Sequence, residues 1–127
     1  MERNTAQRRA IHRSLEVAGR PMGPTEIFES AREQVPGLGI ATVYRAIKQL
    51  LDDGFLAQVD LPGEPPRYEV SGKDHHHHFR CLNCRKVYDI EGCANSFGEL
   101  LPRGFRLEEH ELFLFGRCNE CAAVSAA

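Results

Sequence analysis

Two Cys-x-x-Cys pairs, Cys81-Leu82-Asn83-Cys84 and Cys118-Asn119-Glu120-Cys121, carry the strongest chemical signal in this chain of 127 residues. Two residues between cysteines let both sulfurs of one turn face a single ion, and two such turns complete a closed tetrahedral site. Thiolates prefer zinc among the common divalent ions, and a closed site of four sulfurs leaves no position for catalysis. The pairs are separated by about 33 residues, so the clamp is expected to tie the chain's end back across a sheet. A redox-active thiol pair is the competing reading. Cys93 stands outside the pattern and reads as a small buried residue.

The run His75-His76-His77-His78 directly precedes the first pair. Purification tags are longer and terminal, which argues against a tag. A solvated polar loop is a second reading and a strand is the third. In a strand, alternation sends His76 and His78 to one face and His75 and His77 to the other, so one stretch could feed two metal sites.

Placing these donors requires a scaffold. Thr5 to Ala18 carries Ile11, Leu15 and Ala18 at helical spacing, with Gly19 as a stop. Gly23-Pro24 opens a second helix that buries Ile27, Ala31 and Phe28 and ends before Pro36-Gly37. A third runs from Ile40 to Asp52, with Ile40, Val43, Ile47, Leu50 and Leu51 on one stripe. Strands are expected over Phe55–Asp60 and Arg67–Val70, joined by the loop Leu61-Pro62-Gly63-Glu64-Pro65-Pro66. Three helices and a two-stranded wing make a winged helix-turn-helix, whose third helix enters the major groove. After a hinge at Ser71-Gly72-Lys73-Asp74, strands are expected at Phe79–Cys81 and Lys86–Ile90. A short helix over Cys93–Leu101 follows, then one or two strands within Arg106–Phe115. The predicted class is α+β: a winged helix-turn-helix domain over residues 1–71, then a small α/β domain with a four-cysteine zinc site over 72–127. The second domain is too small to bury much core, so a metal clamp and a dimer interface are the expected supplements.

Composition is consistent with this division. Residues 1–50 hold eight Arg/Lys against five Asp/Glu, and residues 51–127 hold eight against thirteen. A basic half that meets phosphate and an acidic half that holds cations fit those balances. No apolar run approaches the ~20 residues of a membrane span. The N-terminus lacks an apolar signal segment, so a cytoplasmic protein with reduced cysteines is expected.

On the third helix, Thr42, Arg45, Lys48 and Gln49 face away from the apolar stripe, with Tyr44 on its flank. Arginine can bond guanine bidentately, and tyrosine can meet thymine methyls or phosphate. Arg8, Arg9 and Arg13 on the first helix could contact phosphate. The alternative is that Tyr44 is half-buried core and the arginines are solvated surface.

The motif Ile40-Ala41-Thr42-Val43-Tyr44-Arg45 follows Thr5-Ala6-Gln7-Arg8-Arg9 and precedes the histidine run and both cysteine pairs. In this order the chain resembles the ferric uptake regulator (Fur) superfamily along nearly its whole length. The resemblance implies a dimeric, metal-activated repressor with a winged-helix domain followed by a dimerisation domain, and Tyr44 and Arg45 as the base-reading pair. It implies a sensory site of Glu69, His76, His78 and Asp89 for Fe(II), Mn(II) or Zn(II). It implies a second site of His75, His77 and His110 with a carboxylate from the short helix, for which Glu99 is the candidate, although direct counting from Cys81 lands on Ser96. Because Glu69 lies before the hinge and the histidines after it, one ion would fix the angle between the domains.

Three departures bear on the signal. Where the family often has a sensory-site histidine before the second helix, this chain has Pro21, leaving four protein ligands, water, or His12 to complete the site. Position 77 is histidine where iron sensors often have aspartate. Val70-Ser71 stands where zinc sensors commonly have a cysteine, which disfavours zinc sensing. Asp89 in place of glutamate resembles the peroxide-sensing branch, in which bound iron promotes oxidation of a ligand histidine. The leading expectation is a repressor of metal-uptake genes that binds a palindromic operator as a homodimer, without a small-molecule substrate or a membrane. A metalloenzyme is disfavoured, because neither cysteine pair follows the proline of a deaminase signature and nothing nominates a substrate pocket.

Overall fold

Helix α1 spans Glu2–Ala18 and buries Ala10, Ile11 and Leu15 on one stripe. It stops at Gly19, whose φ of 62° permits the left-handed turn that returns its N–H to the Leu15 carbonyl at 3.1 Å. In the computed structural model, which describes residues 2–92 and 97–125, the chain divides into two compact units, Met1–Lys73 and Asp74–Ala127.

In the first unit, α2 (Pro24–Ala31) begins with proline at its first position, and Glu26 Oε1 accepts the Gly23 N–H at 3.3 Å. Arg20 holds the other oxygen of Glu26 at 2.8 Å. Helix α3 (Ile40–Asp52) buries Val43, Ala46, Ile47 and Leu50. Ile40 is exposed rather than part of the core stripe, because it occupies the first helical position, where the inward face has not yet begun. Strands β1 (Leu56–Val59) and β2 (Arg67–Val70) pair antiparallel, with Leu56 opposite Val70 and Val59 opposite Arg67. Phe55 lies before β1 and is exposed. Met22 adds a bridge on the free side of β2, exchanging both backbone hydrogen bonds with Tyr68 at 2.9 Å. The core contains Ile11, Leu15, Ile27, Val43, Ile47 and Leu56, drawn from all three helices and β1. Three helices on a two-stranded wing are a winged helix-turn-helix.

The second unit is a three-stranded sheet ordered β4-β3-β5. Central β3 (His77–Cys81) pairs antiparallel with β4 (Val87–Ile90) and parallel with β5 (Phe113–Gly116). Of the expected Arg106–Phe115 stretch only the last three residues are strand, and β5 runs one residue further, to Gly116. A 3-10 turn, Phe97–Leu100, stands within the expected short helix; Cys93 and Ser96 lie outside the described residues. A last helix, α4 (Asn119–Ser125), went unread in the sequence. The buried cluster here is Cys81, Cys118 and Cys121, with Phe79 and Tyr88 packed against it. Cysteines thus occupy the place that aliphatic side chains hold in the first unit.

Candidate metal centres and the exposed helix face

The β3–β4 hairpin builds the first half of the cysteine cluster. Cys81 N–H bonds the Lys86 carbonyl at 3.0 Å, and Arg85 adopts a φ of 67° with its N–H on the Cys81 carbonyl at 2.9 Å. The second half arrives with β5: Leu82 N–H bonds the Gly116 carbonyl at 2.7 Å, two residues before Cys118. Gly116 keeps this approach close, since a Cβ there would stand 3.3 Å from the Phe79 ring and push it back by a few tenths of an ångström. All four sulfurs lie within 4.8 Å of one another. The Cys84 and Cys118 sulfurs are 3.8 Å apart. A disulfide needs ~2.05 Å, whereas a tetrahedron with Zn–S arms of ~2.3 Å has edges of ~3.8 Å. The donor set therefore fits zinc.

Hydrogen bonds prepare these sulfurs for a cation. Cys81 Sγ accepts the N–H groups of Cys84 and Cys118, each at 3.4 Å. The Cys84 N–H foremost, opposed by burial, pulls the Cys81 thiol down to about 5. The Cys121 N–H likewise lowers Cys118 against burial. At Cys121 the Asn83 amide, 3.2 Å from Sγ, draws the thiol down, but burial and the neighbouring sulfurs push it up to about 11. Four thiolates this close need a cation between them. Sequence reasoning missed Asn83, although its place inside the first Cys-x-x-Cys was a usable signal.

Strand register explains the histidine groups. His78 stands directly opposite Asp89 in the β3–β4 pair, so their side chains share a face. His76, immediately before β3, joins them, with its ring centroid 4.8 Å from that of His78. Asp89 Oδ1 lies 3.4 Å from His78 Nε2 and 3.7 Å from His76 Nε2. Ligands ~2.1 Å from a shared ion are ~3.0–3.4 Å apart when adjacent, so the donors fit one metal with slight contraction. His76 Nδ1–H donates to the Asp74 carbonyl at 2.7 Å, which leaves Nε2 as the acceptor nitrogen. Such a bond fixes the tautomer a ligating histidine needs.

The other face gathers His75, His77 and His110. Parallel register sets His78 beside Phe113, and His75 and His110 carry the same offset of 35 residues. Their Nε2 atoms are 3.2 Å apart. His77 is buried, and burial, then the imidazoles of His75 and His110, holds it below its ordinary value and favours the neutral, ligating form. Glu99 is exposed in the 3-10 turn and does not join the three imidazoles. That turn instead supplies Phe97, whose ring centroid lies 4.8 Å from His110. The expected carboxylate is thus not at this cluster among the described residues.

In the first unit, Glu69 is buried on β2. Pro21 is fully buried and offers no donor atom, and His12 pairs with Glu16 at 3.1 Å and packs edge-on against Phe55. On α3, Tyr44 is 55% exposed. Arg45 and Lys48 are exposed beside it, and Arg45 donates to the Thr42 hydroxyl at 3.1 Å. The half-buried core reading of Tyr44 does not hold. On α1, Arg9 is exposed and Arg8 half-buried.

The sequence profile of the ferric uptake regulator family matches residues 2–115. The chain belongs to the ferric uptake regulator family. It is similar to the ferric uptake regulation protein of Helicobacter pylori strain 26695, at 29% identity over 94% of this chain and 81% of that protein. Among solved structures, a zinc-bound manganese uptake regulator superposes with a TM-score of 0.76 at 31% identity, over 88% of this chain and 87% of that one. The Helicobacter pylori regulator, whose structure is described as having three functional metal-binding sites, gives 0.68 at 27% identity, over 91% and 79%. As a ferric uptake regulator family member, the chain is a metal-responsive DNA-binding transcription regulator and not an enzyme. Its donor sets suit the family's cofactors: structural Zn(II) on four thiolates, and regulatory Fe(II), Mn(II) or Zn(II) on imidazole and carboxylate. No helix among the described residues is long and apolar enough to cross a membrane.

Proposed function

We propose that this protein represses metal-uptake genes from the cytoplasm, binding a palindromic operator as a homodimer when its sensory site is filled. The observation that carries the reading is the His76–His78–Asp89 face, where antiparallel register and a tautomer-fixing hydrogen bond prepare three donors for one ion. Glu69, on the second wing strand, is assigned as the fourth donor by the resemblance to the family. A divalent ion supplies positive charge that holds donors from both sides of the hinge. Binding to both sides favours one arrangement of wing and sheet, and affinity for the operator follows from that preference.

Tyr44 and Arg45 read bases, Thr42 and Lys48 flank them, and Arg8 and Arg9 meet phosphate; the exposure of the α3 face supports these roles. Homodimer formation is supported by β5, an edge strand that leaves Leu114 and Phe115 exposed. His75, His77 and His110 form a second, nitrogen-only site without Glu99. Operator binding of zinc-loaded protein, titrated with Fe(II), Mn(II) and Zn(II), tests the reading: affinity rises with at least one ion, and equal affinity in all states refutes it. A peroxide-sensing variant of this function draws support from Asp89 lying against two imidazoles. It requires a gain of one oxygen on His76 or His78 after peroxide treatment of the iron form, read by mass spectrometry.

A further inference from the structure

Glu69 is 5% exposed, and a buried carboxylate is costly unless positive charge or donors compensate it. Lys73 provides such charge, with Nζ 3.5 Å from Glu69 Oε2. The intervening chain builds this contact. Ser71 is tied to the turn between α3 and β1, its hydroxyl donating to the Gly54 carbonyl and its N–H to the Phe55 carbonyl at 3.1 Å. Gly72 then turns the backbone with a φ of 86°, which a side chain would resist, and Lys73 comes back over Glu69.

We propose that Lys73 is a built-in competitor for the regulatory ion. Its ammonium neutralises Glu69 in the metal-free protein and must release that carboxylate when the site fills, so Lys73 sets the metal concentration at which the regulator responds. This rests on the assignment of Glu69 as a sensory ligand. The physical basis is like-charge repulsion: an ammonium and a divalent cation cannot both sit closely on one carboxylate without mutual cost. Lys73 is 31% exposed on a flexible stem, so it can move into water. The competition is therefore partial, and with the lysine partner partly exposed it amounts to ~5-fold in metal affinity.

The test is anaerobic titration of the zinc-loaded full chain with Mn(II), read by electron paramagnetic resonance of the free ion. Wild type is compared with Lys73→Met, Lys73→Arg, Glu69→Gln and the Lys73→Met/Glu69→Gln double variant. Loss of the ammonium tightens Mn(II) binding by ~5-fold, Lys73→Arg stays near wild type, and the gain vanishes in the Glu69→Gln background. Lys73→Gln repeats the comparison if Lys73→Met folds poorly. If Glu69→Gln weakens binding while neither neutral Lys73 variant tightens it, the competitor role is wrong and the ligand assignment stands. A gain that persists in the double variant also overturns the role, since Lys73 would then act as a general charge. If Glu69→Gln leaves Mn(II) affinity unchanged, the ligand assignment fails and the proposal fails with it.

Discussion

At the scale of single residues, two chemistries depend on opposite environments. The cysteine cluster works because backbone and Asn83 donors surround buried sulfurs. Replacing Cys118 by serine removes one thiolate and leaves three anionic sulfurs without tetrahedral closure. Metal analysis should find that Cys118→Ser retains no stoichiometric zinc, with the melting transition of the second unit lost. Tyr44 and Arg45, the proposed base readers, can act because they are exposed. Tyr44→Ala or Arg45→Ala should each weaken operator binding by ~1–3 kcal/mol, roughly 5- to 150-fold, with the thermal transition unchanged. A drop in melting temperature would instead make them packing residues. The cysteines were legible in the sequence because their spacing is itself the geometry of a metal knuckle. The outward placement of Tyr44 was not, because an aromatic residue at the flank of an apolar stripe fits either environment.

Among the elements, α3 separates packing from surface within one helix. Ile47 is buried and Ile40 exposed, though both are isoleucines on the apolar stripe inferred from sequence. Ile47→Ala should cost about 2–4 kcal/mol in urea unfolding, and Ile40→Ala within ~0.5 kcal/mol. Equal losses would contradict the burial assigned to them. Periodicity made α3 and β2 legible to the residue, since a capping glycine or a proline bounds each in the sequence. It failed between Phe97 and Leu112, where local patterns compete with no strong period. Glu99 shows the consequence: it is exposed on the 3-10 turn and is not gathered with the three imidazoles. The imidazoles of His75, His77 and His110 lie together, and His75 and His110 keep the 35-residue offset of the parallel β3–β5 pairing. A parallel pairing across so many residues leaves no local trace in the sequence.

For the whole molecule, two units of different construction imply different responses to metal removal. The first unit has an aliphatic core, and the second has cysteines at its centre. Stripping zinc with a strong chelator should abolish the slow amide exchange of β3–β5 and leave that of α1–α3 intact. In the proposed homodimer the exposed apolar edge of β5 forms the contact, so Leu114→Asp with Phe115→Asp should give monomers by sedimentation while zinc remains bound. The central claim is that an ion at the sensory face governs affinity for DNA. Its most direct test is operator binding by zinc-loaded protein with and without saturating Mn(II), in wild type and in His78→Ala. Wild-type affinity should rise at least ~10-fold with Mn(II), within the usual range of coupling between two sites, and His78→Ala should lose the rise while keeping its zinc. Equal affinity with and without the ion, or a full response in His78→Ala, would contradict the account.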